Sequence, residues 1–173
     1  RLLFKAPKFT AMTLGVLIGG LSISLFTFSF LYSVMYKTLP LPLMNIINGG
    51  SHANNSLRIQ EFMIRPNKAK NFKDAINICF LVIQKLRSLI ASKNLSTNLG
   101  DEGGFAPSLS NNEEAIELIL KAIEDSGFKS GTDISVCLDV AANELYKEKK
   151  YAVNSPKFIS SDKTIEYYLD LVK

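Results

Sequence analysis

The fold class follows from residues 134–140, Ile-Ser-Val-Cys-Leu-Asp-Val. A short, nearly continuous apolar run of this kind is typical of a strand buried on both faces, as in a parallel α/β sheet. Asp139 stands at its carboxyl end, and parallel α/β folds build their active sites at the carboxyl ends of strands. A carboxylate in that position suits Mg²⁺, but it also suits the N-cap of a following helix. Position alone leaves both interpretations open.

The segments on either side of this strand predict an alternating α/β chain. Apolar side chains recur at three- and four-residue steps in the helical segments, and short apolar runs bounded by proline or glycine indicate the strands. Ser110 and Glu113 fit a capping box for one helix, and Gly127 lies just past its end. The order is strand, strand, helix, helix, strand and helix, at residues 41–47, 57–66, 72–90, 110–127, 134–140 and 162–172.

The N-terminal segment differs from the rest of the chain. Phe9–Tyr36 is a run of 28 residues without a charge, preceded by three cations within the first eight residues. As a helix this run is about 42 Å long, enough to cross a bilayer, but its seven Ser/Thr residues and a locally alternating pattern argue against insertion. We expect residues 1–38 to be a hydrophobic segment, either transmembrane or signal-like or a diverged remnant of an N-terminal domain, and residues 39–173 to form a separate domain.

Composition excludes several classes of protein. With 173 residues, 47% apolar residues and a net charge of +4, the chain is neither disordered nor long enough for a complete (β/α)8 barrel. Residues 1–40 carry four basic and no acidic side chains, whereas residues 41–173 carry sixteen of each, so nucleic-acid binding is not expected. Cys79 and Cys137 lack the spacing of a zinc site and are expected to be buried, reduced thiols, although a disulfide between them stays open.

Five polar residues besides Asp139 are candidates for chemistry. Asp101 and Glu102 lie in a glycine-rich loop, where a glutamate would serve as a general acid if its pKa were raised, although the pattern by itself favours a solvated turn. His52, the only histidine, follows Gly-Gly-Ser and is expected on a loop, where it is either catalytic or inert. Gln60–Glu61 interrupts an apolar strand, and a buried polar pair needs partners, which indicates a site or a buried network.

Taken together, these segments resemble the enolase family. Several long motifs carry the resemblance, and their order and spacing agree with that family over about residues 39–173. They are LPLMNIINGGSHA at 41–53, IQEFMI at 59–64, GDEGGFAP at 100–107, NEEA at 112–115 and LDVAA at 138–142, followed by ELY at 144–146.

The resemblance implies an α/β fold, namely an incomplete enolase-type TIM-like barrel that contains its first strands and helices. It also implies a carbon–oxygen lyase of glycolysis, phosphopyruvate hydratase, which dehydrates 2-phosphoglycerate to phosphoenolpyruvate with Mg²⁺ as cofactor. In that family a lysine removes the carbon-bound proton, the metal ions stabilise the charge that develops, and a glutamate protonates the departing hydroxyl.

Residue by residue, the resemblance assigns roles to all of the candidates. Glu102 is the proton donor, with Asp101 supporting it. Asp139 is a ligand of Mg²⁺. His52 lies on a mobile loop that closes over the substrate, and Gln60–Glu61 lines the substrate pocket.

The resemblance also implies that the base lysine and the remaining metal ligands lie beyond Lys173. We therefore expect this chain alone to be inactive, as a piece of a longer cytoplasmic enolase that forms homodimers. The alternative is a non-catalytic, truncated remnant that acts as a membrane-associated, cell-surface or binding protein, with membrane contact through residues 9–36.

Overall fold

The computed structural model describes residues 7–36, 40–154 and 156–172. The chain divides into two compact units, Arg1–Leu39 and Pro40–Lys173. The described part of the first unit is one helix, α1 (Pro7–Tyr36), and every side chain described from residue 14 to residue 30 is exposed.

The second unit is an α/β domain with one main sheet. Its strands are β1 (Met44–Asn48), β2 (Glu61–Arg65) and β3 (Ser135–Asp139), and a small hairpin is formed by β4 (Tyr146–Lys147) and β5 (Lys150–Tyr151). Its helices are α2 (Phe72–Ser92), α3 (Asn112–Asp125), the single turn α4 (Ala142–Leu145) and α5 (Ser161–Leu171). The predicted strands and long helices are thus all present, within a few residues of their expected ends.

The main sheet has the order β1-β2-β3, and β2 runs antiparallel to both neighbours. The expectation of a parallel strand buried on both faces is therefore wrong for β3, whose side chains are half-buried and end at the exposed Asp139. An apolar run reports burial but carries no information on the direction of the neighbouring strand, which explains the error. Among the described residues this sheet stays open, which confirms the expected α/β fold with an incomplete barrel.

The core lies between the main sheet and the pair α2 and α3. Fully buried side chains from the sheet, such as Ile47 and Phe62, pack against one face of each helix. The helices contribute Leu86, Ile90 and Ile119 to the same core. Burying such a side chain stabilises the fold by about 1.5–3 kcal/mol. The helical periodicity that predicted α2 and α3 is thus the periodicity of this buried face.

The predicted capping box at α3 is displaced by one residue. Asn111, not Ser110, is the N-cap, and its side chain accepts a hydrogen bond from the Glu114 N–H at 2.8 Å. The Glu114 carboxylate, not that of Glu113, reaches back to accept from the Ser110 N–H at 2.9 Å. Gly127 follows the helix with a φ of +83°, as predicted for a helix end.

Both cysteines are free thiols. Cys79 is buried in the core, and burial raises the pKa of its thiol to about 11. Cys137 lies on β3 and is only half-buried, so the expectation of burial holds fully for one of the two.

Two described helices are long and apolar enough to cross a membrane by length and composition, within Thr10–Phe30 and Phe72–Ser92. None of the first span is buried, whereas a third of the second is buried in the core of its domain.

Candidate active site

Three strand ends meet at one end of the main sheet. The register places Asn48, the last residue of β1, opposite Glu61, the first residue of β2, and Glu61 opposite Asp139, the last residue of β3. Because β2 runs against its neighbours, its beginning lies where they finish. The Gln60 N–H extends this contact by donating to the Asp139 carbonyl at 3.2 Å. The sheet thus gathers two acids and a buried amide in one row.

The single histidine, His52, lies in the turn that follows β1, and this turn places it next to Glu61. The turn Gly50–His52 is tied down because the Gly50 N–H donates to the Leu57 carbonyl at 3.0 Å and the His52 N–H to the Gly49 carbonyl at 3.0 Å. The buried Nδ1 of His52 lies 3.5 Å from Glu61 Oε1. His52 is therefore a half-buried member of the acidic cluster.

The glycine-rich loop brings the third member, Glu102. Its Oε2 lies 3.8 Å from His52 Nδ1, and its side chain is 50% exposed, compared with 14% for Glu61. The Asp101 N–H anchors the loop by donating to the His52 carbonyl at 3.0 Å, while its side chain is exposed. The loop therefore places Glu102 so that half of its side chain is exposed to solvent while its carboxylate lies near His52.

The loop reaches this position because it pairs with the free edge of β1. The Phe105 N–H donates to the Ile46 carbonyl at 2.9 Å, and the Phe105 carbonyl accepts from the Asn48 N–H at 2.9 Å. Such close pairing needs glycine, since a Cβ on Gly104 would overlap Asn48 Oδ1 and lie 3.0 Å from the Ile47 nitrogen. The glycines of this motif thus allow a backbone contact that places Glu102.

The surroundings of Glu61 in the acidic cluster favour its neutral form. The pKa of the Glu61 carboxyl is raised, first because the side chain is buried. The hydrogen bond and negative charge of Glu102, and the charge of Asp139, raise it further, whereas His52 lowers it. Burial and neighbouring negative charge both disfavour the charged form of a carboxyl group, which explains the direction of the shift at Glu61.

The candidate residues thus differ in how closely they meet. His52, Glu61 and Glu102 offer ligand atoms within 4.8 Å of one another, which is the spacing of a metal site or of an acid–base cluster. Asp139 lies beside Glu61 in the sheet but is not a member of that trio. Its Oδ1 accepts from the Ala141 N–H at 3.0 Å, so it also caps the turn before α4.

Sequence reasoning did not single out two asparagines of the site, the half-buried Asn45 and the buried Asn48. Asn48 is fully buried, and within the described part of the chain neither its amide nor that of Asn45 has a hydrogen-bond partner. Both amide oxygens lie against Gly104. The available signal was a pair of polar residues inside the apolar run 41–47 and at its end, but asparagine before Gly-Gly is equally typical of a turn.

A third asparagine ties the start of β2 to the helices. Asn112 is fully buried, and its Oδ1 accepts from the backbone N–H groups of Arg58 at 3.1 Å and Ile59 at 3.3 Å. Its Nδ2 donates to the Val153 carbonyl at 2.8 Å and to the Tyr167 hydroxyl at 3.1 Å. The residues immediately before Gln60 and Glu61 are therefore held by one side chain.

A cleft of about 490 Å³ is lined in part by the loop between β1 and β2. Its lining includes Ser51, Arg58, Ser110 and Glu144 but none of the clustered acids. The cleft is therefore separate from the cluster around His52, and the cluster itself faces solvent through Glu102.

The domain is an α/β domain with an open sheet, and its acid–histidine cluster lies at the strand ends, where barrel enzymes place their active sites. These features define the class of protein as an enzyme domain. Residues 36–173 match the family model described as "Enolase, C-terminal TIM barrel domain". A curated protein named Enolase, from Pelagibacter ubique (strain HTCC1062), is 62% identical over 144 residues, which cover 83% of this chain and 34% of that protein. The chain belongs to the enolase family, and it spans about a third of the length of this relative.

Proposed function

We propose that this chain provides the first part of the catalytic barrel of a phosphopyruvate hydratase, which dehydrates 2-phosphoglycerate to phosphoenolpyruvate. The observation that carries the proposal is the convergence of His52, Glu61 and Glu102 within 4.8 Å at one end of the sheet. Each of these residues comes from a separate segment whose sequence resembles an enolase motif. A coincidence of three motifs at one point favours a reaction centre over three unrelated surface features.

Glu102 is the proton donor in this proposal. Its carboxyl gives a proton to the hydroxyl that leaves carbon 3 of the substrate, so that water departs and Glu102 becomes a carboxylate. The half-exposed side chain allows contact with substrate, and a hydrogen bond joins it to the Glu61 carboxyl, whose pKa is raised. In this proposal the substrate binds beside Glu102, where His52, Gln60 and Glu61 line its binding pocket. Asp101 supports Glu102 by anchoring its loop to His52.

Asp139 is the Mg²⁺ ligand in this proposal. An exposed carboxylate at a strand end fits the preference of Mg²⁺ for hard oxygen donors, and the Ala141 N–H orients it. The trio around His52 fits Mg²⁺ less well, because imidazole suits softer ions such as Zn²⁺. When bound, the ion supplies positive charge where the substrate carboxylate gains negative charge.

We further infer that these 173 residues alone do not complete the reaction. The base that takes the carbon-bound proton is not among the residues assigned here, and an acid without its base does not run the elimination. A cytoplasmic location of the barrel domain and the homodimeric state of full-length enolases are part of the same proposal.

A chimera tests the assignment. Residues 36–173 of this chain replace the matching segment of the Pelagibacter ubique enolase, with which the chain is 62% identical. We expect Mg²⁺-dependent formation of phosphoenolpyruvate, followed by its ultraviolet absorbance. Glu102→Gln is expected to lower kcat by roughly 10²–10⁴-fold, the usual contribution of a general acid.

The matched control is Glu124→Gln, which changes an exposed glutamate on α3 and is expected to leave kcat unchanged. A folded chimera without Mg²⁺-dependent activity would contradict the proposal. So would a Glu102→Gln chimera as active as the Glu124→Gln chimera. The 173-residue chain assayed alone is expected to show no turnover, and Mg²⁺-dependent turnover by it would refute the inferred incompleteness.

A further inference from the structure

The helix α1 lies almost wholly outside the family-matched region 36–173, which includes only its last residue. Its large apolar side chains are exposed on every side, including the successive residues Val16, Leu17 and Ile18 at 59–68% exposure. Successive residues point in directions 100° apart, so these three span 200° of the helix circumference. The exposed Phe26, a further 80° round from Ile18, occupies the remaining side. A helix that is hydrophobic all round belongs in a protein core or in a membrane.

The length of the apolar span matches a bilayer. Thr10–Phe30 is 21 residues without a charge, or about 31 Å of helix, and the hydrocarbon core of a bilayer is about 30 Å thick. The helix α2 has a similar length and composition, but a third of its span is buried and its ends carry charges such as Lys73 and Arg87. The core of its own domain accounts for α2, whereas none of the described α1 span is buried.

The polar residues that argued against insertion are partly satisfied within the helix. The Ser22 hydroxyl donates to the Ile18 carbonyl at 2.8 Å, and the Thr27 hydroxyl donates to the Ile23 carbonyl at 2.8 Å. A hydroxyl bonded to its own helix loses little on transfer to hydrocarbon, where an unpaired polar group is costly. The serine and threonine content is therefore compatible with a lipid environment.

The charges around α1 complement an anionic lipid surface. Lys8 and Lys37 flank the uncharged run, and the first acidic residue of the chain is Glu61. Basic residues next to a span contact lipid phosphates, whereas acidic residues there would be repelled. We propose that α1 spans a lipid bilayer and thereby attaches the enolase-family domain to a membrane.

Flotation tests the proposal on the full chain. The chain is made by cell-free synthesis with vesicles of phosphatidylcholine and phosphatidylglycerol, washed in alkaline carbonate and centrifuged upward through a density gradient. We expect the wild type to float with the vesicles. The double variant Leu17→Lys/Leu21→Lys places two charges in the middle of the span. It is expected to lower the fraction of protein that floats by roughly tenfold or more.

The matched control is Leu81→Lys with Leu169→Lys, which changes two exposed leucines of α2 and α5 and is expected to float like the wild type. Intact mass of the floated chain is expected to equal that of the whole chain. Recovery of the wild type at the bottom of the gradient would overturn the proposal. This holds whether the protein there is a monomer, an oligomer joined through α1 or an aggregate. Floated protein that lacks α1 would also overturn it, because a cleaved signal does not anchor.

Discussion

Two neighbouring asparagines at the start of α3 offer a graded test of how the site is held. Asn111 caps the helix from outside with one hydrogen bond, to the Glu114 N–H. Asn112 is fully buried and makes four hydrogen bonds that join the approach to β2, the Val153 segment and α5. The same substitution at each position therefore removes very different numbers of contacts.

The expected magnitudes follow from the groups that lose partners. Asn111→Ala removes one helix cap and is expected to cost about 1 kcal/mol of unfolding free energy. Asn112→Ala leaves the buried Ile59 N–H and Val153 carbonyl unpaired, at about 1–3 kcal/mol for each buried group. Together with the weaker bonds to Arg58 and Tyr167, the expected loss is about 3–5 kcal/mol.

Urea unfolding of the full chain in a mild detergent measures both values, with tyrosine fluorescence as the readout because the chain has no tryptophan. Costs for Asn111→Ala and Asn112→Ala that agree within about 1 kcal/mol would refute the reasoning, since the four bonds would then contribute no more than one cap. If Asn112→Ala does not accumulate as folded protein, Tyr167→Phe removes the hydroxyl that accepts from Asn112 and interacts with Glu113, and it is expected to cost about 1–2 kcal/mol.

Two further predictions concern the acidic cluster. Gly104→Ala is expected to displace the loop and shift the ring signals of the only histidine, His52, in an NMR spectrum, whereas Gly131→Ala, which has a φ of +80° and open space around it, leaves them in place. Equal shifts from both variants would contradict the close packing of the loop. The pKa of Glu61 is raised on folding, so the folded chain binds more protons than the unfolded chain and stability falls as pH rises from about 4.5 through the raised pKa. Glu61→Gln is expected to reduce this loss of stability between acidic and neutral pH, as measured by the urea midpoints at the two pH values. The control Glu124→Gln is expected to keep the loss of the wild type. A loss in Glu61→Gln equal to that of the wild type would count against the raised pKa.

The elements of the fold were predictable because they depend on local patterns. The buried faces of α2 and α3 repeat at helical spacing, and the apolar run at 134–140 indicated β3. The direction of β2 was not predictable in this way, because strand direction is set by the connections and by long-range packing. The shift of the cap from Ser110 to Asn111 has a similar cause, since both residue types cap helices well.

The sequence indicated the acidic residues and the histidine of the site, but it did not indicate its asparagines. Glycines around Asp101 and Glu102 are unusual enough to indicate a special backbone, and His52 after Gly-Gly-Ser indicates a loop. Asn48 and Asn112 gave no such signal, because asparagine is common in turns and at helix starts. Their importance comes from burial, which only the assembled chain creates.

An irregularity in β1 links the protection of the sheet edge to the assembly of the site. The register shifts between Asn45 and Ile47, and this bulge inserts one extra residue into the strand. Residues three apart normally face opposite sides of a strand, but the extra residue brings Asn45 and Asn48 to the same side, where both amide oxygens lie against Gly104. The loop that packs there also pairs Phe105 with the outer edge of β1, which would otherwise stay open to other chains. One backbone contact therefore closes an edge and places Glu102 beside His52, so a change that frees the edge is also a change that moves the acid.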